Sequence, residues 1–201
     1  MSETLIDSKS EDFEIIEKVK NGNLDAFDHL VIKYQDRLYN IAYRTLGDFE
    51  EAKDTTQDTF IQVYTHLKEF RGESTVYYWL VTILMNLCKN ILRKWQKEHR
   101  SQTVSLQAKI ESDDGNIIAK EIPDPSLSVI DKIEIKEREE MVRKALDQLP
   151  LEFKTVVLLY DFDGLSYEEI SKICKCPVGT VRSRLHRGRT MIKDSLKRLI
   201  Q

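Results

Sequence analysis

Apolar residues recur every three or four positions through the first hundred residues, which is the spacing of helices that bury one face. One such stripe lies within residues 23–46 and a second within residues 48–70, after which the sequence RGES ends the pattern. A third helix is predicted from Thr75 to Lys97. The positions predicted to form the three apolar faces are Phe27, Leu30, Val31, Tyr34, Leu38 and Ile41; Ala52, Phe60, Val63, Tyr64 and Leu67; and Trp79, Leu80, Ile83, Leu84, Leu87 and Ile91. The pattern indicates a helical module over residues 11–100, preceded by a disordered N-terminus over residues 1–10.

The helical pattern breaks after Arg100. Residues 101–128 are rich in Ser, Asp and Gln, and contain Gly115, Pro123 and Pro125 with no sustained apolar period. A segment of this length is longer than the connections found inside compact domains, so we predict a flexible linker between two domains. Helical pattern resumes near Val129 and predicts a second module over residues 129–201. The expected fold is all-α, with two small helical domains joined by the linker.

The second module has the signals of a helix-turn-helix. Ser166 followed by Glu169 predicts a capping box at the start of a short helix. Lys175 and Cys176 form the predicted turn, and Pro177 suits the first position of the next helix, where an N–H would lack a partner. The apolar positions predicted to pack inward on that helix are Val181, Leu185, Ile192 and Leu196. The positions predicted to face outward are Thr180, Ser183, Arg184 and Arg187, flanked by Arg182, His186 and Arg189.

The charge of this second helix differs from that of the whole chain. The chain has a formal net charge of -3, yet residues 182–198 carry seven basic residues and a single acid, Asp194. Arginine can pair with guanine in the major groove and with phosphate, so a basic outer face here is typical of a DNA reader. The alternative is a merely solvated face, but the capped preceding helix and the Pro-Val-Gly turn favour DNA binding.

The helix from Thr75 to Lys97 carries a second polar stripe beside three aromatic residues. The stripe consists of Thr82, Asn86, Lys89, Asn90, Arg93 and Lys97, and the aromatic residues are Tyr77, Tyr78 and Trp79. Aromatic side chains beside a basic stripe are typical of proteins that bind single-stranded nucleic acid. The same pattern also fits a solvated face above an aromatic core. The preceding helix is acidic, which suits a protein partner better than nucleic acid.

Composition excludes several other classes of protein. The N-terminus is polar and acidic, and no apolar run approaches the roughly 20 residues of a membrane span, so a cytoplasmic protein is expected. Three cysteines fit a reducing compartment, and the pair Cys174 and Cys176 has no second pair nearby, so neither a metal nor a cofactor is predicted. The acids of residues 48–58 lie along a helix without an accompanying His, so no enzyme activity is predicted.

Taken together, the two modules resemble the extracytoplasmic-function sigma factors, the small two-domain initiation subunits of bacterial RNA polymerase. In the first module AFDHLVIKYQDRLYNIAYRTL and YYWLVTILMNLCKNILRK are similar to the family's region 2. In the second, ALDQLPLEFKTVVLLYDFDGLSYEEISKICKCPVGTVRSRLHRGR is similar to region 4. The resemblance extends from about Asp25 to Leu199.

The resemblance implies a role for each set of residues. The residues that it implies for docking on the β′ clamp helices of the polymerase are Ala52, Asp54, Gln57, Asp58 and Phe60. The resemblance also implies residues that melt and read the minus-ten element, with a flipped base near residues 70–78. They are Phe70, Tyr77, Tyr78, Trp79, Asn86, Lys89, Asn90, Arg93 and Lys97. Those implied for reading the minus-thirty-five element as duplex are Thr180, Arg182, Ser183, Arg184, His186, Arg187 and Arg189.

The resemblance also implies the partners. We expect a sigma factor that directs core polymerase to stress- or signal-responsive promoters, binding the β′ clamp helices, the β flap and promoter DNA. An anti-sigma factor is a further expected partner; in this family it is often anchored in the membrane, and it would then hold the protein at the inner face. The alternative is a dimeric helix-turn-helix regulator, which would bind palindromic duplex without polymerase.

Overall fold

The computed structural model describes residues 3–102, 138 and 140–200, and throughout these ranges every regular element is a helix. The chain divides into two compact units, Met1–Gly115 and Asn116–Gln201. The predicted all-α fold is thereby confirmed. Of the predicted linker, residues 101 and 102 belong to a helix, and residues 103–128 lie outside the described residues. The domain limits at residues 100 and 128 therefore stay predictions.

Over residues 3–102, the first unit has four α-helices joined by short connections. They are α1 (Glu3–Lys20), α2 (Asp25–Leu46), α3 (Phe49–Thr65) and α4 (Val76–Gln102), with a 3₁₀ turn at Leu67–Glu69. Helix α1 begins at Glu3, whereas the sequence predicted disorder over residues 1–10. Extending a helix costs much less than nucleating one, so a helix held by buried Asp12 and Ile16 continues back over polar residues.

Helix α2 has most of the inner face that the apolar period predicts, although Phe27 and Val31 are only half-buried. Leu30, Tyr34, Leu38 and Ile41 are all buried, and they follow one another at steps of four or three. The helix ends at Gly47, whose positive φ of 77° suits glycine and whose N–H donates to the Tyr43 carbonyl over 2.8 Å. Asp48 then caps α3 by accepting from the Glu51 N–H, at 2.8 Å.

Helix α3 buries three threonines that hydrophobic patterning does not count. The hydroxyls of Thr55, Thr56 and Thr59 donate to the carbonyl oxygens of residues 51, 52 and 55, over 2.5–2.7 Å. Because each hydroxyl is satisfied within its own helix, burying it costs little. The inner face of α3 is therefore wider than its apolar residues suggest.

Helix α4 packs on the bundle with a face that differs from the predicted one. Its fully buried residues are Val76, Leu80, Val81, Leu84, Met85 and Cys88. Ile83, Leu87 and Ile91, which were predicted to face inward, are only half-buried. The helix contacts both α2 and α3, so its buried face is set by the groove between them.

The second unit contains the predicted helix-turn-helix. Its described elements are residues 140–147 (α5), α6 (Leu151–Val157), a π-helical turn (Leu158–Phe162), α7 (Tyr167–Cys174) and α8 (Val178–Ile200). Val181 and Leu185 are buried as predicted, and Gly188 and Ser195 share that face. A Cβ at Gly188 would lie 2.7 Å from Cγ2 of Val157, so the backbone of α8 rests directly on α6.

Candidate nucleic-acid interface

The turn between α7 and α8 is built by local hydrogen bonds. Ser166 and Glu169 form the predicted capping box, with bonds of 2.8 and 3.2 Å, which confirms the start of α7. The helix ends at Lys175, which adopts the left-handed conformation with φ 52°. The Pro177 carbonyl accepts from the N–H groups of Thr180 and Val181, so Pro177 stands immediately before α8. This geometry fixes the direction in which α8 leaves the turn.

The outward face of α8 lies opposite its buried residues. Val181, Leu185 and Gly188 mark the buried side. The exposed residues on or beside the opposite side are Arg182, Ser183, His186, Arg187, Thr190 and Lys193. Thr180, in the first turn, is half-buried, and its carbonyl accepts from the Ser183 hydroxyl over 3.0 Å. The prediction omitted Thr190 and Lys193, although they continue the spacing of three and four from Ser183 through His186.

Carboxylates of neighbouring elements hold two of the predicted DNA-binding arginines. Arg184 Nη2 lies 2.5 Å from Glu152 Oε2 of α6, and its side chain is only 26% exposed. Arg189 Nε donates to Asp161 Oδ2 of the π-helical turn over 3.0 Å, and this bond raises the pKa of the guanidinium. Periodicity placed Arg184 on the outward face; in the structure it points to α6. Both arginines tie α8 to its own unit.

A pair of tyrosines flanks this basic face. The rings of Tyr160 and Tyr167 stack with centroids 4.8 Å apart. The guanidinium of Arg189 lies 5.4 Å from the Tyr160 ring, and that of Arg182 lies 5.4 Å from the Tyr167 ring. The hydrogen bond to Tyr160 raises the pKa of Tyr167. The stacked rings thus give Arg182 an apolar support along the edge of α8.

In the first unit, the residues predicted to bind polymerase divide between the surface and the core of α3. Asp54, Gln57 and Asp58 are exposed, whereas Ala52 and Phe60 are buried. The acidic surface continues into an apolar one, since Ile61 is 56% and Tyr64 44% exposed; the prediction omitted Ile61 and wrongly placed Tyr64 on the inner face. Their positions, three and four residues after Asp58 and Phe60, were the available signal.

The polar stripe of α4 is exposed as the spacing predicted. Asn86, Asn90, Arg93 and Lys97 are all exposed, and Lys89 is half-buried. Asn86 and Asn90 are one helical turn apart, so their amides project from the same side. Each amide can offer both a donor and an acceptor, and the two cations follow along the same helix. This surface suits a polyanion with readable base edges.

The four aromatic residues predicted at the minus-ten site are not equally accessible. Phe70 is buried and stacks on Trp79 with centroids 4.7 Å apart. Tyr77 is half-buried, stacks on Tyr34 at 5.5 Å, and has the guanidinium of Arg37 4.0 Å from its ring centroid. Tyr78 and Trp79 are also half-buried. Arg37, on α2, was missed because nothing in its local sequence indicates proximity to α4.

The part of the chain that the structure describes contains neither a cluster placed to bind a metal ion nor a helix suited to cross a membrane. Residues 3–102 and 140–200 contain no group of three or more His, Cys, Asp or Glu side chains placed to bind a metal ion. In the same ranges, no helix combines the length and apolar character that crossing a membrane requires.

Family models match both units of the chain. Sigma-70 region 2 matches residues 30–98, and Sigma-70, region 4 matches residues 139–192. The RNA polymerase sigma-H factor of Pseudomonas aeruginosa is 36% identical over 96% of this chain and 98% of that protein. The ECF RNA polymerase sigma-E factor of Escherichia coli K12 is 34% identical over the whole of both chains.

Two solved structures of similar fold are both complexes with a second protein. The sigma factor RpoE bound to the anti-sigma factor NepR, from Bartonella quintana, has a TM-score of 0.65 at 24% identity, over 87% of this chain and 98% of that one. CnrH bound to the cytosolic domain of CnrY has a TM-score of 0.62 at 20% identity, over 93% and 97%. At these identities the likeness concerns the fold.

Proposed function

This chain belongs to the extracytoplasmic-function sigma factors, and from that premise we propose how its two units divide promoter recognition between them. The observation that carries the proposal is the presence of a separate polar, basic surface on each unit: the stripe of α4 and the outward face of α8. Two such surfaces suit a protein that holds one promoter element as duplex and takes part in melting the other.

The outward face of α8 reads the minus-thirty-five element as duplex. The N-terminal part of a recognition helix enters the major groove, where Arg182, Ser183, His186 and Arg187 are the exposed side chains. Among the described residues of this unit, Glu152 of α6 pairs with Arg184 and Asp161 of the π-helical turn pairs with Arg189, whereas neither pairs with Arg187, so the Arg187 guanidinium is suited to guanine or phosphate. Arg184 and Arg189 take a supporting role, because Glu152 and Asp161 hold them.

The stripe of α4 and the loop before it bind the minus-ten element. Asn86 and Asn90 meet base edges, and Arg93 and Lys97 meet phosphates. Phe70 is buried, so it supports the loop over residues 70–75 from beneath, and the exposed loop residues around it meet the flipped base. Proteins that hold single-stranded bases combine such aromatic platforms with basic side chains.

The remaining surfaces bind protein partners. The exposed side chains of Asp54, Gln57 and Asp58 on α3 contact the β′ clamp helices, and buried Ala52 and Phe60 keep that helix in place. The second unit contacts the β flap. An anti-sigma factor, free or membrane-anchored, is the partner that keeps this protein inactive; the similar structure of RpoE bound to the anti-sigma factor NepR supports such a partner.

Transcription from purified components tests the proposal. The chain is mixed with core polymerase, the complex is isolated, and run-off transcription is measured on promoter templates with and without a premelted minus-ten region. We expect co-purification with core and transcription from both templates. A dimer that binds palindromic duplex and does not associate with core polymerase would instead identify an ordinary helix-turn-helix regulator.

A further inference from the structure

Helix α1 contacts the loop that connects the 3₁₀ turn to α4, although α1 precedes the part of the chain matched to region 2, residues 30–98. The Phe13 ring stacks on Phe70 with centroids 5.8 Å apart, and Phe70 stacks in turn on Trp79 at 4.7 Å. Lys20 Nζ donates to the Phe70 carbonyl oxygen over 3.0 Å. The Phe13 ring and the Lys20 ammonium group therefore both contact Phe70, the first residue of the loop.

The backbone of the loop also rests on α1. Gly72 has a φ of +74°, which glycine adopts without strain. A Cβ at this position would lie 2.9 Å from Cε1 of Phe13, closer than ordinary contact allows. Glycine thus allows the loop to cross the edge of the Phe13 ring. Arg71 and Glu73, on either side of Gly72, are exposed.

Helix α1 is itself firmly attached to α2. Asp12 is 4% exposed, and it accepts hydrogen bonds from Lys33 Nζ, at 2.6 Å, and from the Tyr34 hydroxyl. Tyr34 stacks on Tyr77, in the first turn of α4. Buried carboxylates are stable when they are paired and hydrogen-bonded, as this one is. The loop is therefore held against a helix that is fixed at a second point.

We propose that Phe13 and Lys20 are positioning residues, which hold the loop over residues 70–75 in the conformation that accepts the flipped base of the minus-ten element. This inference rests on the proposed function, which assigns that loop to the minus-ten element. A loop ordered before binding does not lose its conformational freedom when the base enters, so ordering it in advance strengthens binding. Neither Phe13 nor Lys20 contacts the base.

The test measures binding of a fluorescent single-stranded minus-ten oligonucleotide to the complete chain in complex with core polymerase. Lys20→Met removes the bond to the loop, together with an exposed ion pair to Glu17 on the same helix at 2.9 Å, and keeps the aliphatic stem; Lys20→Arg restores a donor. Lys18→Met, at an exposed position of the same helix, is the matched control. We expect about a fivefold to tenfold weaker binding for Lys20→Met, the loss of one charge-assisted hydrogen bond, and near-normal binding for the other two.

A second measurement separates positioning from folding. Hydrogen exchange at the amides of residues 71–74 should become faster in Lys20→Met and in Phe13→Leu, while the melting temperature and the affinity for core polymerase stay close to those of the unchanged chain. A loss of polymerase affinity by the same factor as the loss of oligonucleotide affinity would overturn the inference, because α1 would then maintain the whole unit.

A variant within the loop distinguishes failure of this inference from failure of the proposed function. Arg71→Ala removes an exposed side chain of the loop and leaves the contacts of α1 unchanged. If Arg71→Ala weakens oligonucleotide binding and Lys20→Met does not, the loop binds the element without help from α1. If neither change weakens binding, the loop does not meet the minus-ten element, and both this inference and the assignment of the loop on which it rests are wrong.

Discussion

Arg184 and Arg187 lie three residues apart on α8, but we expect their replacement by alanine to have different consequences. Arg187 is exposed on the outward face of α8, whereas Arg184 is held by Glu152 at 2.5 Å. An arginine that pairs bidentately with guanine contributes about 1–3 kcal/mol of discrimination, so Arg187→Ala should weaken minus-thirty-five binding by about five- to 150-fold.

Arg184→Ala should act on the fold instead. The side chains of its ion pair with Glu152 are 26% and 50% exposed, and pairs so accessible to water contribute roughly 0.2–1 kcal/mol to stability. A loss of that size lowers the melting temperature of a small domain by at most about 8 °C. The affinity for duplex DNA should change by less than about threefold, since little of that small energy acts on the bound DNA.

Fluorescence anisotropy with a labelled minus-thirty-five duplex measures both affinities, on the complete chain bound to core polymerase. Titrations at several salt concentrations separate base contacts from phosphate contacts, because losing one phosphate contact reduces the log–log salt slope by about one. Thermal unfolding of each variant verifies the fold. Equal losses of affinity for Arg184→Ala and Arg187→Ala, with both variants folded, would refute the assignment of the outward face.

Three further predictions concern the two units separately. Asn86→Ala and Asn90→Ala should leave polymerase binding intact and change the tolerance for minus-ten substitutions; a lower melting temperature with unchanged preference would mean that the amides brace the helix. Burial raises the pKa of the Cys88 thiol from 9.0 to about 12, so iodoacetamide at pH 8 should modify this cysteine only after unfolding. As the pH rises, the Cys88 thiol ionises in the unfolded chain before it ionises in the folded one. The stability that its burial contributes is therefore present below pH 9 and is lost as the pH rises from 9 towards 12. Urea unfolding at pH 8 and 10 measures this loss, and equal free energies of unfolding would mean that the thiol is not fully buried. Gly188→Ala should destabilise the second unit by about 1–3 kcal/mol through its clash with Val157, and an unchanged melting temperature would show that α6 and α8 separate easily.

Features that depend on neighbours in sequence could be predicted from the chain alone. The capping box of Ser166 and Glu169 involves residues three apart, and the inner face of α2 follows from one helical period. The buried threonines of α3 could not be recognised by hydrophobicity, because their hydroxyls are satisfied by their own helix only once that helix has formed. The fold class could therefore be predicted from periodicity, whereas the polar residues of the core could not.

The chemistry of the candidate interface could be predicted more fully than its orientation. Basic and amide side chains on α4 and α8 were identified correctly as exposed stripes at Asn86, Asn90 and Arg187. The direction of Arg184 depends on Glu152, which is 32 residues away in sequence, so helical spacing could not reveal it. In the same way, the burial of Phe70 depends on Trp79 and on α1.

The π-helical turn at Leu158–Phe162 changes the direction about the helix axis in which the chain leaves α6 towards α7. The Asp163 N–H donates to the Leu158 carbonyl, five residues back, so the turn holds one residue more than an α-helical turn would. Shortening it by one residue would rotate everything that follows by about 100°. Asp161 would then no longer contact Arg189, and α7 would start on a different side of α6. The length of this connection therefore sets the direction of α7, and with it the direction in which the basic outward face of α8 is presented on the second unit.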